Sequence, residues 1–205
     1  MQKKTNKKSS FLHTSYFRLQ KGFTLIEMLA AVMIFSLIVG AISGVFISSF
    51  RSQKSALSSQ RLLNQISYAL EYMSRALRMS SKQTADIPAC FSQSGLNYEI
   101  THSGSGLKFI NHLEEDDCQE FFLEGVQLKY RKKIGQAGEE TLDLTSPNLQ
   151  IISLNFSISG EGQEDDLQPR VTIFLAVKGK GQKLEEQPEM KIQTTISQRN
   201  LDIHY

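Results

Sequence analysis

Apolar residues follow two different rhythms along this chain. Residues 28–50 carry no formal charge, and residues 23–26 extend the apolar run upstream with only Glu27 interrupting it. A run of this length crosses a hydrocarbon core of about 30 Å as a helix. No proline occurs before Pro88 to break it. Beyond Phe50, apolar positions return at helical spacing: Leu63, Ile66, Leu70, Met73 and Leu77 alternate steps of three and four, which marks one face of a helix. The pattern predicts a single helix over residues 24–79, membrane-like in its first half and amphipathic in its second. Ser80-Ser81-Lys82 and then Pro88 end it. So short a stripe is expected to pack on a sheet of its own chain rather than in a coiled coil.

After Pro88 the period falls to two. Strands are predicted over residues 96–101, 106–111, 120–123, 126–132, 149–159, 170–178 and 190–198. The first two flank His102-Ser103-Gly104-Ser105 as a hairpin. In the strand over 170–178, Val171, Ile173, Leu175 and Val177 alternate with Thr172, Phe174, Ala176 and Lys178, so one face suits a core. An amphipathic helix followed by antiparallel strands is an α+β arrangement.

Charge changes the picture because it is segregated. Residues 1–22 hold six basic residues and no acid, leaving 17 basic and 21 acidic residues in the remainder of the 205-residue chain. Bulk charge beyond residue 22 therefore argues against nucleic acid as a partner. The six leading cations predict a cytoplasmic N-terminus and an external C-terminal part. Three fates of the apolar run are open at this stage. It is a permanent anchor, or a secretory signal cut near Ala41-Ile42-Ser43, or a helix that remains after the basic leader alone is removed.

Residues 21–29 read KGFTLIEML. With the basic leader before it and the apolar run after it, this segment resembles the class III signal of type IV pilins and pseudopilins. The resemblance implies cleavage by a prepilin peptidase between Gly22 and Phe23, followed by N-methylation of Phe23. It implies that Glu27 neutralises the new α-amine of an adjacent subunit during assembly. An ionised carboxylate inside a membrane helix is otherwise costly; the competing expectation is that Glu27 reaches the cytoplasmic headgroups. The implied fold is a pilin-like α+β protein in which one long N-terminal helix packs on an antiparallel β-sheet: a leader at 1–22, a membrane and assembly helix at 23–50, and an external α+β domain at 51–205. The implied partners are other pilin or pseudopilin subunits, the peptidase and an inner-membrane assembly platform driven by a separate ATPase. The subunit would end in a pilus or pseudopilus. The larger minor pseudopilins, such as the J-type component of type II secretion, are the most similar type. The alternative from another class is a membrane-anchored or secreted binding domain that joins no filament.

The remaining candidates are weaker. Cys90 and Cys118 are the only cysteines; an even count outside the cytoplasm predicts a disulfide around the first hairpin, with two free thiols as the alternative. The pair lies earlier than the C-terminal loop that many pilins close with a disulfide. Gly40 and Gly44 form a small-xxx-small pattern that permits close helix approach. Acidic runs at 114–117 and 161–166 suggest Ca²⁺ by ligand type, but match no EF-hand loop and read as solvated loops, so no metal or other cofactor is expected. Lys129-Tyr130-Arg131-Lys132-Lys133 is a small basic run that reads as a solvated strand end before it reads as a contact for DNA. His13, His102, His112 and His204 are scattered, and no nucleophile elbow, Walker loop or zinc-protease helix occurs. An enzyme is not expected.

Overall fold

The computed structural model describes residues 22–84, 89–114, 116–161, 167–181, 183 and 187–199. The chain divides into two compact units, Met1–Ile47 and Ser48–Tyr205. One helix, α1 (Leu25–Arg78), contributes to both. In the first unit it is the only described element, and every described residue there is exposed.

In the second unit α1 buries Leu62, Ile66, Ala69, Met73, Ala76 and Leu77. Ile66, Met73 and Leu77 are buried as predicted, while Leu62 and Ala69 take the places of Leu63 and Leu70. Leu63 is 46% exposed, and Leu70 is only partly buried. The buried face runs 62–66–69–73–76–77, and two of its members are alanines. Alanine contributes little to a hydropathy pattern, yet Ala69 and Ala76 are both buried in the core. Two exposed residues near the end of the helix, Glu71 and Arg75, form an i, i+4 ion pair, an arrangement worth only a few tenths of a kcal/mol.

Among the described residues nine strands follow: β1 (Ser80–Ser81), β2 (Tyr98–Thr101), β3 (Gly106–Asn111), β4 (Asp117–Glu124), β5 (Gln127–Lys132), β6 (Glu140–Asp143), β7 (Leu149–Ser159), β8 (Arg170–Gly179) and β9 (Glu189–Ser197). They form two antiparallel sheets rather than one. The first has the order β1-β3-β4-β5-β6, with β2 also pairing with β3; the second has the order β7-β8-β9. Strands β1 and β2 share one edge of β3, pairing with residues 110–111 and 106–109 respectively. Strands β1 and β6 were not foreseen. The first is two residues long, and all four residues of β6 are exposed, so neither carries an apolar alternation to detect.

Both sheets and α1 close on one core. Tyr98, Leu107, Phe109, Phe121, Leu128 and Tyr130 enter it from the first sheet. Val171, Ile173, Leu175 and Val177 enter from β8, as their alternation predicted. In β7 the inward parity switches from Leu149 and Ile151 to Leu154 and Phe156. The switch is a β-bulge: the register passes from Ile151 to Ser153, and the extra residue, Ile152, is left 47% exposed. The Tyr98 hydroxyl donates to the Leu77 carbonyl at 2.8 Å, tying the sheet to the last turn of the helix. Burial pushes this phenol far above its ordinary pKa.

The β2–β3 hairpin turns through His102 and Ser103, both at positive φ, and Gly104 at φ 104°. At Gly106 a Cβ would lie 2.2 Å from Thr101 Oγ1 and 2.6 Å from His102 Cδ2, so this close approach requires glycine. Cys90 and Cys118 are joined by a disulfide with a Cα–Cα distance of 5.4 Å. It encloses β2 and β3 and packs with Phe91 and Ile110 in a second small core. Gln83 Oε1 accepts from the backbone N–H of Cys90 at 2.9 Å and of Phe91 at 2.8 Å, which pins the bridged loop. Replacing both cysteines by serine is expected to lower stability by about 2–4 kcal/mol. Denaturant unfolding of the full chain in detergent would read this. Alkylation of both cysteines without prior reduction would instead identify them as free thiols.

Candidate functional site

The sequence features with the most specific chemistry lie at the start of α1. Gly22, Phe23 and Thr24 precede the helix in non-helical backbone. Thr24 is its N-cap: its Oγ1 accepts from the Glu27 N–H at 3.3 Å. Glu27 Oε2 in turn accepts from the Thr24 N–H and from the Thr24 hydroxyl, both at 2.9 Å. This reciprocal exchange is a capping box. The Met28 N–H completes the first turn on the Thr24 carbonyl at 3.2 Å. Sequence reasoning assigned Glu27 to a subunit contact or to the headgroups and missed its local partner. The signal was present as Thr24-Leu25-Ile26-Glu27, a Thr-x-x-Glu spacing. The helix start predicted at residue 24 carries this spacing.

The surface that follows is apolar and uncovered. Phe23 is 84% exposed, and Leu25, Ile26, Val45 and Phe46 are each around 70% exposed or more. Such a surface is unstable in water and calls for lipid or other apolar helices around it. Its polar atoms are prepared for that setting. Ser36 and Ser43 donate their hydroxyls to the carbonyls of Val32 and Val39, each at 2.8 Å, so these donors are satisfied inside the helix as a hydrocarbon environment requires. α1 is long and apolar enough near the N-terminus to cross a membrane. At Gly40 and Gly44 an added Cβ would meet nothing within 4 Å. Any need for small residues there comes from another molecule.

The other candidates take structural roles in the second unit. Cys118 is bridged to Cys90 and carries no thiol beside His112. His112 Nδ1 lies 3.0 Å from Asp116 Oδ1. His102 stacks on Phe122, with ring centroids 5.2 Å apart, and its Nε2 lies 3.3 Å from Glu120 Oε1. Glu120 is 1% exposed and also accepts from Thr101 Oγ1 at 2.6 Å and from Arg131 Nη1 at 3.3 Å. This buried carboxylate is saturated by its neighbours and is a strand-to-strand fastener.

In the basic run at 129–133, Lys129 and Arg131 are paired with acids, and Lys132 lies over the Tyr130 ring. Lys129 Nζ lies 2.7 Å from Glu124 and 3.5 Å from Asp143. Its hydrogen bond holds the Glu124 carboxyl below the ordinary range and raises the lysine. Tyr130 is buried, and Arg131 lies over the Phe122 ring at 4.6 Å. The acidic run at 114–117 is likewise engaged: Glu114 accepts from Gln119 at 2.9 Å, Asp116 faces His112, and Asp117 is buried. Among the described residues no three metal-binding side chains come together. His13, His204, Glu115 and residues 162–166 of the second acidic run lie outside the described residues.

No curated protein and no solved structure matches this chain. Residues 17–43 match the family model for the prokaryotic N-terminal methylation motif. That motif covers the end of the basic leader, Gly22, Phe23, the Thr24–Glu27 cap and most of the apolar run, and its family is structural rather than catalytic. The motif and the long apolar helix that carries it are those of a type IV pilin-like class III signal, and they support a pilin- or pseudopilin-type precursor.

Proposed function

We propose that this chain is a minor pilin or pseudopilin subunit. Prepilin peptidase cuts it after Gly22, the new terminus at Phe23 is methylated, and α1 then carries the subunit from the membrane into a pilus or secretion pseudopilus. The observation that carries this reading is the continuity of three features on one helix: the methylation motif at 17–43, the self-capped start at Thr24 and Glu27, and an apolar surface left wholly exposed through Phe50. Glu27 is assigned the assembly role, pairing with the α-amine of Phe23 on an adjacent subunit. Its Oε1 is not engaged by the Thr24 cap, which uses Oε2. The size of the external region, with two sheets and an enclosed disulfide loop, favours a position at initiation or at the tip over the repeating shaft. The work of the subunit is mechanical and recognitional rather than catalytic.

The test is intact mass and N-terminal sequencing of the membrane-purified chain, produced with and without prepilin peptidase. The expected result is a peptidase-dependent start at Phe23, one methyl group heavier than the unmodified product. A start at Met1 in both samples would make the chain a simple membrane-anchored domain. A start near Gly44 would make it an ordinary secreted one.

A further inference from the structure

A cleft of about 550 Å³ opens in the second unit immediately beyond the charge-free run. Phe50, the last residue of that run, and Leu57 line its apolar side; Lys54, Arg61 and Lys180 line it with three cations. No carboxylate is among its described lining residues, and none of the three cations forms a salt bridge with a described residue. This contrasts with Lys129 and Arg131 of β5, whose charges are met by Glu124 and Glu120. The cleft is also held in shape. The Lys180 N–H donates to the Asn148 carbonyl at 2.9 Å, and the Gly179 N–H donates to the Pro188 carbonyl at 2.9 Å. These bonds fix the segment that brings Lys180 opposite the helix. Lys54 Nζ lies 5.3 Å from the centre of the Phe50 ring, a cation over an aromatic face at the apolar boundary.

We infer that this cleft binds the phosphate of an anionic phospholipid headgroup. Depth is the first reason. With a helical rise of about 1.5 Å per residue, Lys54 stands roughly 6 Å and Arg61 roughly 16 Å beyond Phe50. Helical side chains lean toward the N-terminus, which brings the Arg61 guanidinium back toward Phe50. The headgroup layer is on the order of 5–8 Å thick on each side of the hydrocarbon, so Lys54 stands within it, while the Arg61 backbone lies beyond its outer edge and only the backward-leaning side chain approaches it. Chemistry is the second reason. A guanidinium offers paired donors to phosphate oxygens and an ammonium offers a point charge, while Phe50 and Leu57 present apolar surface to the glycerol and upper acyl carbons. The inference requires that the apolar helix remain in a membrane; it does not require that the chain enter a filament.

The test uses the full chain in detergent, titrated with phosphatidylglycerol or phosphatidylcholine and read by native mass spectrometry. The expected result is preferential retention of phosphatidylglycerol, by on the order of fivefold for each cation engaged. The combined variant Lys54→Gln, Arg61→Gln and Lys180→Gln should retain the two lipids equally. A charge-matched control, Lys108→Gln, Lys133→Gln and Lys191→Gln, should keep the preference. Thermal unfolding shows whether each variant is folded, and Arg61→Gln alone should give a partial loss if the combined variant is not. Equal retention by the parent chain, or equal loss in the control, overturns the inference. Displacement of the lipid by orthophosphate at equal concentration overturns the lipid assignment in favour of a soluble phosphate. The preference should be the same before and after cleavage at Gly22, so a chain that proves to start at Met1 leaves this result intact.

Discussion

Replacing Gly22 by valine should leave the chain starting at Met1 in the presence of prepilin peptidase, while the parent chain starts at Phe23. The expected effect is close to all-or-none, and the structure explains why it should be clean. A Cβ at Gly22 would meet nothing within 4 Å, so folding places no demand on the residue. Its value is to a partner: a backbone without a side chain can enter a confined protease site that a branched residue cannot. The variant should therefore unfold at the same temperature as the parent, yet keep the six leader cations and stay out of any filament. Mass spectrometry and a sheared-filament assay on the same cells read both consequences. Normal processing of the valine variant would remove the basis for the pilin reading.

The second large effect is expected in the core. Phe121 is fully buried and stacks between Phe109 and Tyr130, with ring centroids at 5.1 and 5.0 Å. Tyr72 of α1 meets it edge-on at 6.2 Å. One ring thus links β3, β4 and β5 to the helix. Phe121→Ala should cost about 3–5 kcal/mol, a drop in Tm on the order of 10 °C for a unit of this size. Phe174→Ala on the outer face of β8, where the ring is 41% exposed, should cost less than about 1 kcal/mol. Near-ultraviolet circular dichroism of the full chain in detergent would follow both. A small effect at Phe121 would mean that the helix is not held by this aromatic column.

What could be read from the sequence was what repeats. The 23-residue absence of charge, the helical return of apolar residues and the alternation in β8 each reflect a period that burial imposes. The helix, the α+β class and every strand except β1 and β6 were legible for that reason. Single events were not. The bulge at Ile152 leaves no mark except a change of parity, and β6 buries nothing. The helix face was placed on Leu63 and Leu70 rather than on Leu62 and Ala69 because adjacent leucines carry equal weight in a hydropathy count and leucine outweighs alanine, although Leu62, Ala69 and Ala76 are the buried positions. The division into two sheets follows from which strand edges are covered, and no local pattern encodes that. At the candidate site, residue identities were legible but the Thr24–Glu27 exchange was not, because one short motif serves two purposes. The basic cleft was missed for another reason: Lys180 comes from the far side of the sequence and joins Lys54 and Arg61 only through the fold.

The cap at Thr24 and Glu27 has one more consequence. Both of its residues lie downstream of Gly22, and every hydrogen bond of the exchange is made between them. Scission after Gly22 would therefore remove no partner from this helix terminus. Precursor and product would share the same first turn; the product would lose the six leader cations and gain the α-amine of Phe23 one residue from the cap. Maturation would then be a change of electrostatic label on an already finished helix, and the assembly machinery could distinguish the two forms without either having to refold.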